Sequence, residues 1–407
     1  SQEYDIVARY QGGNNAGHTV KNERGKFVLN LLPSGILRPN VVCVMGNGMV
    51  IDPHHLDGEI NKLREQGIEI TPANLKISDR ATITMPYHVE QDGLEEARLS
   101  KTGAQFGSTK RGIAYAYGDK YMKKTLRMGD LLHLDDAVKK RLVTMVDSKN
   151  LVMEGSYNAA PISVDEMWAW LEKYAAIFKD YICDVGQYLA DADAAGKKVL
   201  FEAQLGALRD IDFGIYPYTT SSNVIGAYAP IGAGIPGHKL HNSIGVMKAY
   251  SSCVGDGPFA AELAMTEEEK HALREAGHEY GAATGRPRRV GPIDLVASRY
   301  GVFCQGCDEV ALTLLDVLDY MEKIPMVTAY KLTDGTTTRF PMGEALDTAQ
   351  PVVEYLPGWH CDITAARKWE DLPQQARDYV EYLEKAVGCK ITYISVGAER
   401  EAYIHRG

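Results

Sequence analysis

No stretch of the 407-residue chain approaches the roughly 20 consecutive apolar residues that a membrane span needs, and mean hydropathy is −0.24. The opening SQEYDIVARY has no basic region leading into an apolar one, so no export signal is read there. Basic charge is in deficit: 44 Lys and Arg face 54 Asp and Glu, a net −10, which argues against a nucleic-acid groove. Low-complexity tracts, repeats and linkers rich in Pro, Gly and Ser are missing. The seven cysteines are odd in number and scattered, which suits reduced thiols in a cytosol better than a disulfide framework. Cys304 and Cys307 (CQGC) have metal-ligand spacing, but no second pair completes a zinc site, so they read as small buried hydrophobes. His54, His55, His271 and His278 make no metal-binding face at their spacings.

Glycine is in excess, 39 residues or about one in ten against an ordinary ~7%. Between the glycines, buried strands alternate with amphipathic helices. Strands are expected at Tyr4–Tyr10, Val41–Gly46, KKVLFEA after Gly196, Glu309–Leu318, Pro325–Tyr330 and Lys390–Val396. A capping box at Ser163–Glu166 opens a long helix with an apolar face from Val164 through Phe178, Ile182 and Val185. Thr266–Glu269 opens another in the same way, and Leu372, Ala376, Tyr379, Val380 and Leu383 mark a third helix face. Such alternation implies a mostly parallel sheet covered on both faces, with ligands at the carboxyl ends of strands.

Several loops at such ends carry chemistry-bearing residues. QGGNNAGHT (11–19) frees backbone N–H groups to face an anion, and His18 titrates near neutrality; a glycine-rich turn with a satisfied histidine reads equally well. Ser108, Thr109, Lys110 and Arg111 mix hydroxyls and cations as phosphate sites do, or form a solvated basic turn. The segment 201–223 is long and polar, with Gln204 fit for a purine edge and Thr220 for a phosphate, unless its hydroxyls merely cap helices. Arg286, Arg288 and Arg289 between glycines suggest a loop that closes on an anionic substrate. Asp316, ending LTLLD, can accept two hydrogen bonds from guanine or cap a helix, and ISVGAER places Ser395 to Arg400 at another strand end.

Taken in order, RYQGGNNAGHTV, LLPSGI, GNGMVIDP, SDRA, FGSTKRGI, GDKY, LRMGDL, FEAQLG, DFGIYPYTTSSN, KAYSSCVGDGPF, GAATGRPRR, LLDVLDY, LPGW and ISVGAER resemble the adenylosuccinate synthetase family over nearly the whole chain. The resemblance implies an α/β fold: a large, mostly parallel central sheet flanked by helices, related to P-loop NTPases, with small subdomain insertions. Residues 1–407 would be a single domain. It further implies a cytoplasmic homodimeric ligase that joins IMP and L-aspartate, hydrolyses GTP and requires Mg2+. His18 and Gln204 would be catalytic. Asn15, Ala16, Gly17, Thr109, Lys123, Gln204, Thr220 and Arg286 would bind IMP. Ala282, Ala283, Thr284, Gly285, Arg286 and Arg288 would bind aspartate. Gly17, His18, Thr19, Arg288, Leu314, Leu315, Asp316, Ser395, Val396 and Gly397 would bind GTP, with the Gly17 carbonyl on Mg2+.

Four departures from the family pattern stand out. Family members begin with a strand and a Gly-Asp-Glu-Gly-Lys-Gly-Lys loop that carries the catalytic base; Ser1 lies beyond it. A segment of roughly 20–25 residues is therefore expected before Ser1; a nucleotide-binding pseudoenzyme without the base is the alternative. A relative acting on a 2-amino purine nucleotide is a third reading. Lys123 stands for a cross-dimer arginine, which keeps charge but loses the fork. Leu314 stands for a guanine-motif lysine, and Pro287 for a further arginine.

Overall fold

The computed structural model describes residues 3–22, 24–104, 107–281, 285 and 287–407. Short apolar runs that end in glycine or a polar turn form the strands, as their burial on both faces requires. Ile6–Arg9 (β1), Val42–Met45 (β2), Leu75–Ser78 (β3), Ile182–Cys183 (β4) and Val199–Glu202 (β5) make an all-parallel sheet in the order β4-β3-β2-β1-β5. Ile244–Lys248 (β6), Glu309–Thr313 (β7), Lys390–Ser395 (β8) and Tyr403–His405 (β9) make a second sheet in that order, parallel except for the last pair. The parallel α/β expectation holds, but the strands lie in two blocks rather than one continuous sheet. A cavity of about 1320 Å³ carries both facing edges, β5 and β6, in its wall. Antiparallel additions, the hairpin of His18–Asn22 with Gly25–Leu29 and the pair Lys323–Leu332 with Gln350–Pro357, sit outside these blocks.

Helices cover the first sheet. Pro53–Glu65 (α1) starts on Asp52, whose Oδ1 accepts from the amides of His54 and His55 at 3.0 and 3.2 Å, with Pro53 where no amide is needed. Pro86–Ser100 (α2), Ile113–Met122 (α3), Asp136–Tyr157 (α4) and Val164–Phe178 (α5) follow. One apolar core, including Leu56, Ile77, Leu142 and Phe178, lies beneath them. A second, including Leu312, Tyr379, Leu383 and Ile394, fills the space under the Gln374–Val387 helix. Thr266 and Glu269 form the reciprocal cap expected for the Glu267–Ala276 helix.

Three local expectations are corrected. The helix opened by Ser163 ends at Phe178 rather than continuing through Ile182 and Val185: Lys179–Tyr181 is a 3-10 turn, and Ile182 then pairs with Ile77 as strand β4. Sheet pairing overrides the 3-4 spacing there, and Asp184 caps a new helix, Val185–Ala194 (α6), through the Gln187 amide at 3.1 Å. The strand expected through Leu318 stops at Thr313, because Leu314 takes φ 62 and Asp316–Leu318 is a 3-10 turn. CQGC is a helix end: Gly306, at φ 58, terminates the Leu295–Gln305 helix, and both cysteines are free and half-buried rather than fully buried. No described helix is long and apolar enough to cross a membrane.

Candidate active site

The first loop is held in place from three sides. It leaves β1 at Tyr10, and the Gly12 amide donates to the Tyr117 hydroxyl of α3 at 2.9 Å, which itself donates to the Gly48 carbonyl at 2.7 Å. From the end of β5, Gln204 reaches back: its Nε2 donates to the Gln11 and Gly13 carbonyls at 3.0 and 3.3 Å. Gln11 answers by donating to the Gln204 carbonyl at 2.7 Å and accepting from Ser222 at 3.1 Å. Gly12 sits at φ 79, and a Cβ there would lie 1.8 Å from Gln204 Nε2, so only glycine fits. Gly17 is exposed, and the Ala16 carbonyl accepts from Asn30 Nδ2 at 3.2 Å. Thr19 pairs with Val28 in the hairpin.

His18 opens that hairpin with Nδ1 3.5 Å from Glu202 Oε1, the last residue of β5. Arg9, fully buried and in register with Glu202, places its Nε 3.8 Å from the same oxygen. Burial, and then the Arg9 charge, pull the His18 pKa below its ordinary value against the opposing pull of Glu202. The imidazole is therefore mainly neutral at neutral pH in the ligand-free protein.

The second loop hangs from α2 by two carboxylates. Asp92 accepts from the Ser108 hydroxyl at 2.6 Å and the Gly112 amide at 2.8 Å; Glu96 accepts from the amides of Gly107 and Ser108 at 2.9 and 3.2 Å. Thr109 and Lys110 are exposed at the tip, with Lys110 at φ 54. Lys123 ends α3 in a left-handed conformation and is exposed beside exposed Tyr121 and Met122.

Arg209 joins the third loop to the fourth. Its carbonyl accepts from the Thr220 amide at 2.8 Å, and its guanidinium reaches Cys253 Sγ at 2.8 Å and the Val254 carbonyl at 2.9 Å. Cys253 in turn pairs with Arg289. Arg289 is occupied by Glu262 at 2.7 Å and the Gly257 carbonyl at 2.7 Å, so the anion-binding expectation fails for this arginine. Arg288 Nη1 donates to Glu279 at 2.7 Å. Ala282, Ala283, Thr284 and Arg286 lie outside the described residues; Gly285 is at φ 65, where its amide donates to the Gly281 carbonyl at 2.8 Å.

At the far end, the Leu315 amide donates to the Ser395 carbonyl at 3.2 Å, which brings Leu314 to Asp316 against Ser395, Val396 and Gly397. Burial, its first cause, raises the Asp316 pKa, helped by repulsion from Asp319 and Asp362. The Leu314 side chain packs on the second core.

His18 thus meets the end of β5 at Glu202, Gln204 ties that same strand end to the first loop, and Arg209 reaches Cys253, the cross-strand partner of Arg289. Sequence reasoning missed Glu202, Tyr117, Asp92, Glu96, Arg209 and Glu279. Glu202 and Arg209 lie inside the 201–223 segment but were not singled out there, and each of the six acts by touching a segment distant in sequence.

A family model described as adenylosuccinate synthetase matches residues 1–404. The chain belongs to the adenylosuccinate synthetase family. Adenylosuccinate synthetases are GTP-dependent ligases, and the relatives agree over almost their full length. The protein of Caldanaerobacter subterraneus subsp. tengcongensis so named is 42% identical over 99% of this chain and 94% of its own. That of Carboxydothermus hydrogenoformans is 44% identical over 99% and 93%. The structure of fully ligated adenylosuccinate synthetase from Plasmodium falciparum superposes with a TM-score of 0.91 at 33% identity, covering 100% of this chain and 94% of that one. Cyanophage S-2L succinoaminodeoxyadenylate synthetase, bound to dGMP and dATP, shares the fold alone: TM-score 0.57 at 17% identity, over 99% of this chain and 88% of that one.

Proposed function

We propose that this chain forms adenylosuccinate from IMP and L-aspartate with GTP, at a site built from the loops above. One observation supports the assignment most. Buried polar atoms without a hydrogen-bond partner are rare in a folded protein, yet Asn15 Oδ1, His18 Nε2, Gln204 Oε1, Arg288 Nε and Asp316 Oδ1 are all of this kind. Each belongs to a residue expected at a ligand, and each has chemistry that a purine edge or an anionic oxygen satisfies.

In this reading the C6 oxygen of IMP attacks the γ-phosphorus of GTP, the bond to the bridging oxygen breaks, and GDP leaves. The aspartate amine then bonds to C6, the C6–O bond breaks, and phosphate departs. Alignment and charge neutralisation carry such a transfer. Gln204, fixed against the first loop, orients the purine. Asn15, Ala16, Thr109 and Thr220 hold IMP, and Lys123, exposed at the end of α3, reaches the IMP of a second copy in a homodimer. Arg286 would grip IMP and aspartate, with residues 282–285 and Arg288 binding the amino acid beside it. Asp316, with Leu314, Leu315, Ser395, Val396 and Gly397, accepts guanine's N1–H and amino group. His18 faces the phosphates, whose charge raises its pKa again on binding. Anionic phosphates and one backbone carbonyl suit Mg2+, and that carbonyl would come from Gly17, which is exposed. Among the described residues no three metal-ligating side chains converge, so they form no cage by themselves.

The cleft between β5 and β6 has two unpaired parallel edges in its wall. In this reading residues 1–407 act as one domain. The test is turnover with GTP and aspartate when IMP and dGMP are offered in parallel: IMP should be consumed, and use of dGMP alone would overturn the reading.

A further inference from the structure

Arg288 is held from behind. Its Nη1 donates to Glu279 Oε2 at 2.7 Å, and its amide donates to the Glu279 carbonyl at 2.9 Å, so side chain and backbone share one anchor. Glu279 is 1% exposed and bears two further donors on Oε1: Lys248 Nζ and the Tyr250 hydroxyl, both at 2.6 Å. Lys248 ends β6 and also donates to Ser252 at 2.6 Å. Burial pushes the Glu279 pKa up, but the bonds from Lys248, Tyr250 and Arg288 outweigh it, and the net shift is downward. The carboxylate thus carries two cations, one of which keeps a buried donor, Nε, with no partner. A guanidinium engaged at Nη1 still has its Nε edge to offer, and an edge of that kind matches an anionic oxygen.

We propose that Glu279 is a positioning residue of the reaction, whose carboxylate fixes Arg288 so that its Nε edge is presented to an anionic substrate oxygen. That oxygen belongs to a phosphate of GTP or to a carboxylate of aspartate, and the inference rests on the functional reading above. The arginine needs such a holder because a freely rotating guanidinium loses part of its interaction to ordering. Lys248 has a different part: it keeps Glu279 ionised and joins it to the carboxyl end of β6.

The test is steady-state kinetics on the full chain and on Glu279→Gln, Arg288→Met and the double variant. KM is measured separately for GTP, aspartate and IMP, with melting temperature as a control. Glu279→Gln should raise KM for GTP or for aspartate at least about tenfold, the affected substrate naming the oxygen, while KM for IMP stays unchanged. In the Arg288→Met background the same change should add less than about twofold, because its effect passes through the arginine. Glu279→Asp, which keeps the charge, should fall between wild type and Glu279→Gln; it serves alone if the glutamine variant fails to fold. Equal fold-changes with and without Arg288, or an equal rise in all three KM values, would reduce Glu279 to a structural hub. Unchanged KM values would also overturn the proposal. A wild-type chain that turns over none of these substrates would sink the functional reading itself, a result distinguishable from the others.

Discussion

His18 carries the heaviest chemical demand of any single residue in this account. Its Nδ1 lies 3.5 Å from Glu202 Oε1 and its Nε2 has no partner, while burial, and then the Arg9 charge, lower its pKa. His18→Ala should lower kcat by about 10²-fold while KM for IMP changes little, because the lost interaction forms with transferring phosphate. Stopped-time assays at saturating substrates check this, and an unaltered kcat would remove His18 from the reaction. The residue was legible in the sequence, as a histidine following glycines and asparagines. Its partner was not: Glu202 is 184 positions away by number and meets His18 only because β5 lies beside β1.

Among the elements, the loop after β1 and the pair α2–α3 bear most directly on function. Gly12→Ala would place a methyl group on Gln204 and force a left-handed backbone that costs alanine about 1 kcal/mol. A kcat loss of at least about tenfold with a retained circular-dichroism spectrum is expected. Behind the second loop, α2 and α3 are pinned by His88, fully buried, whose Nδ1 accepts from the Met85 amide at 3.0 Å. Its Nε2–H therefore donates to Asp119 at 2.8 Å, and Lys149 donates to the other Asp119 oxygen at 3.0 Å. Burial lowers the His88 pKa despite that carboxylate. A depressed pKa means the unfolded chain takes the proton first. The histidine's contribution to stability is thus complete above about pH 6.5 and is lost as pH falls. Nitrogen-15 spectra at pH 6.5 should show a neutral ring with its proton on Nε2; an imidazolium would contradict the pin. The strands and capped helices were legible because burial and capping are local signals. The break at Phe178 was not, since only the pairing of Ile182 with Ile77 ends that helix.

At the scale of the whole molecule, the two parallel blocks and the cleft between them are the main feature. Composition and alternation predicted the parallel α/β class, whereas the division into blocks depends on which edges are left without a neighbour. The residues proposed to bind ligands were recognisable as ordered motifs, and the structure adds carboxylates, Asp92, Glu96 and Glu279, that hold some of their loops.

The chemistry itself is tested most directly by following an oxygen atom. IMP labelled with heavy oxygen at C6 is incubated with the full-length protein, GTP and aspartate, and the released phosphate is examined by mass spectrometry. The account predicts adenylosuccinate formed in equal amount with phosphate that carries the label. Unlabelled phosphate, or GTP hydrolysis without adenylosuccinate, would contradict it.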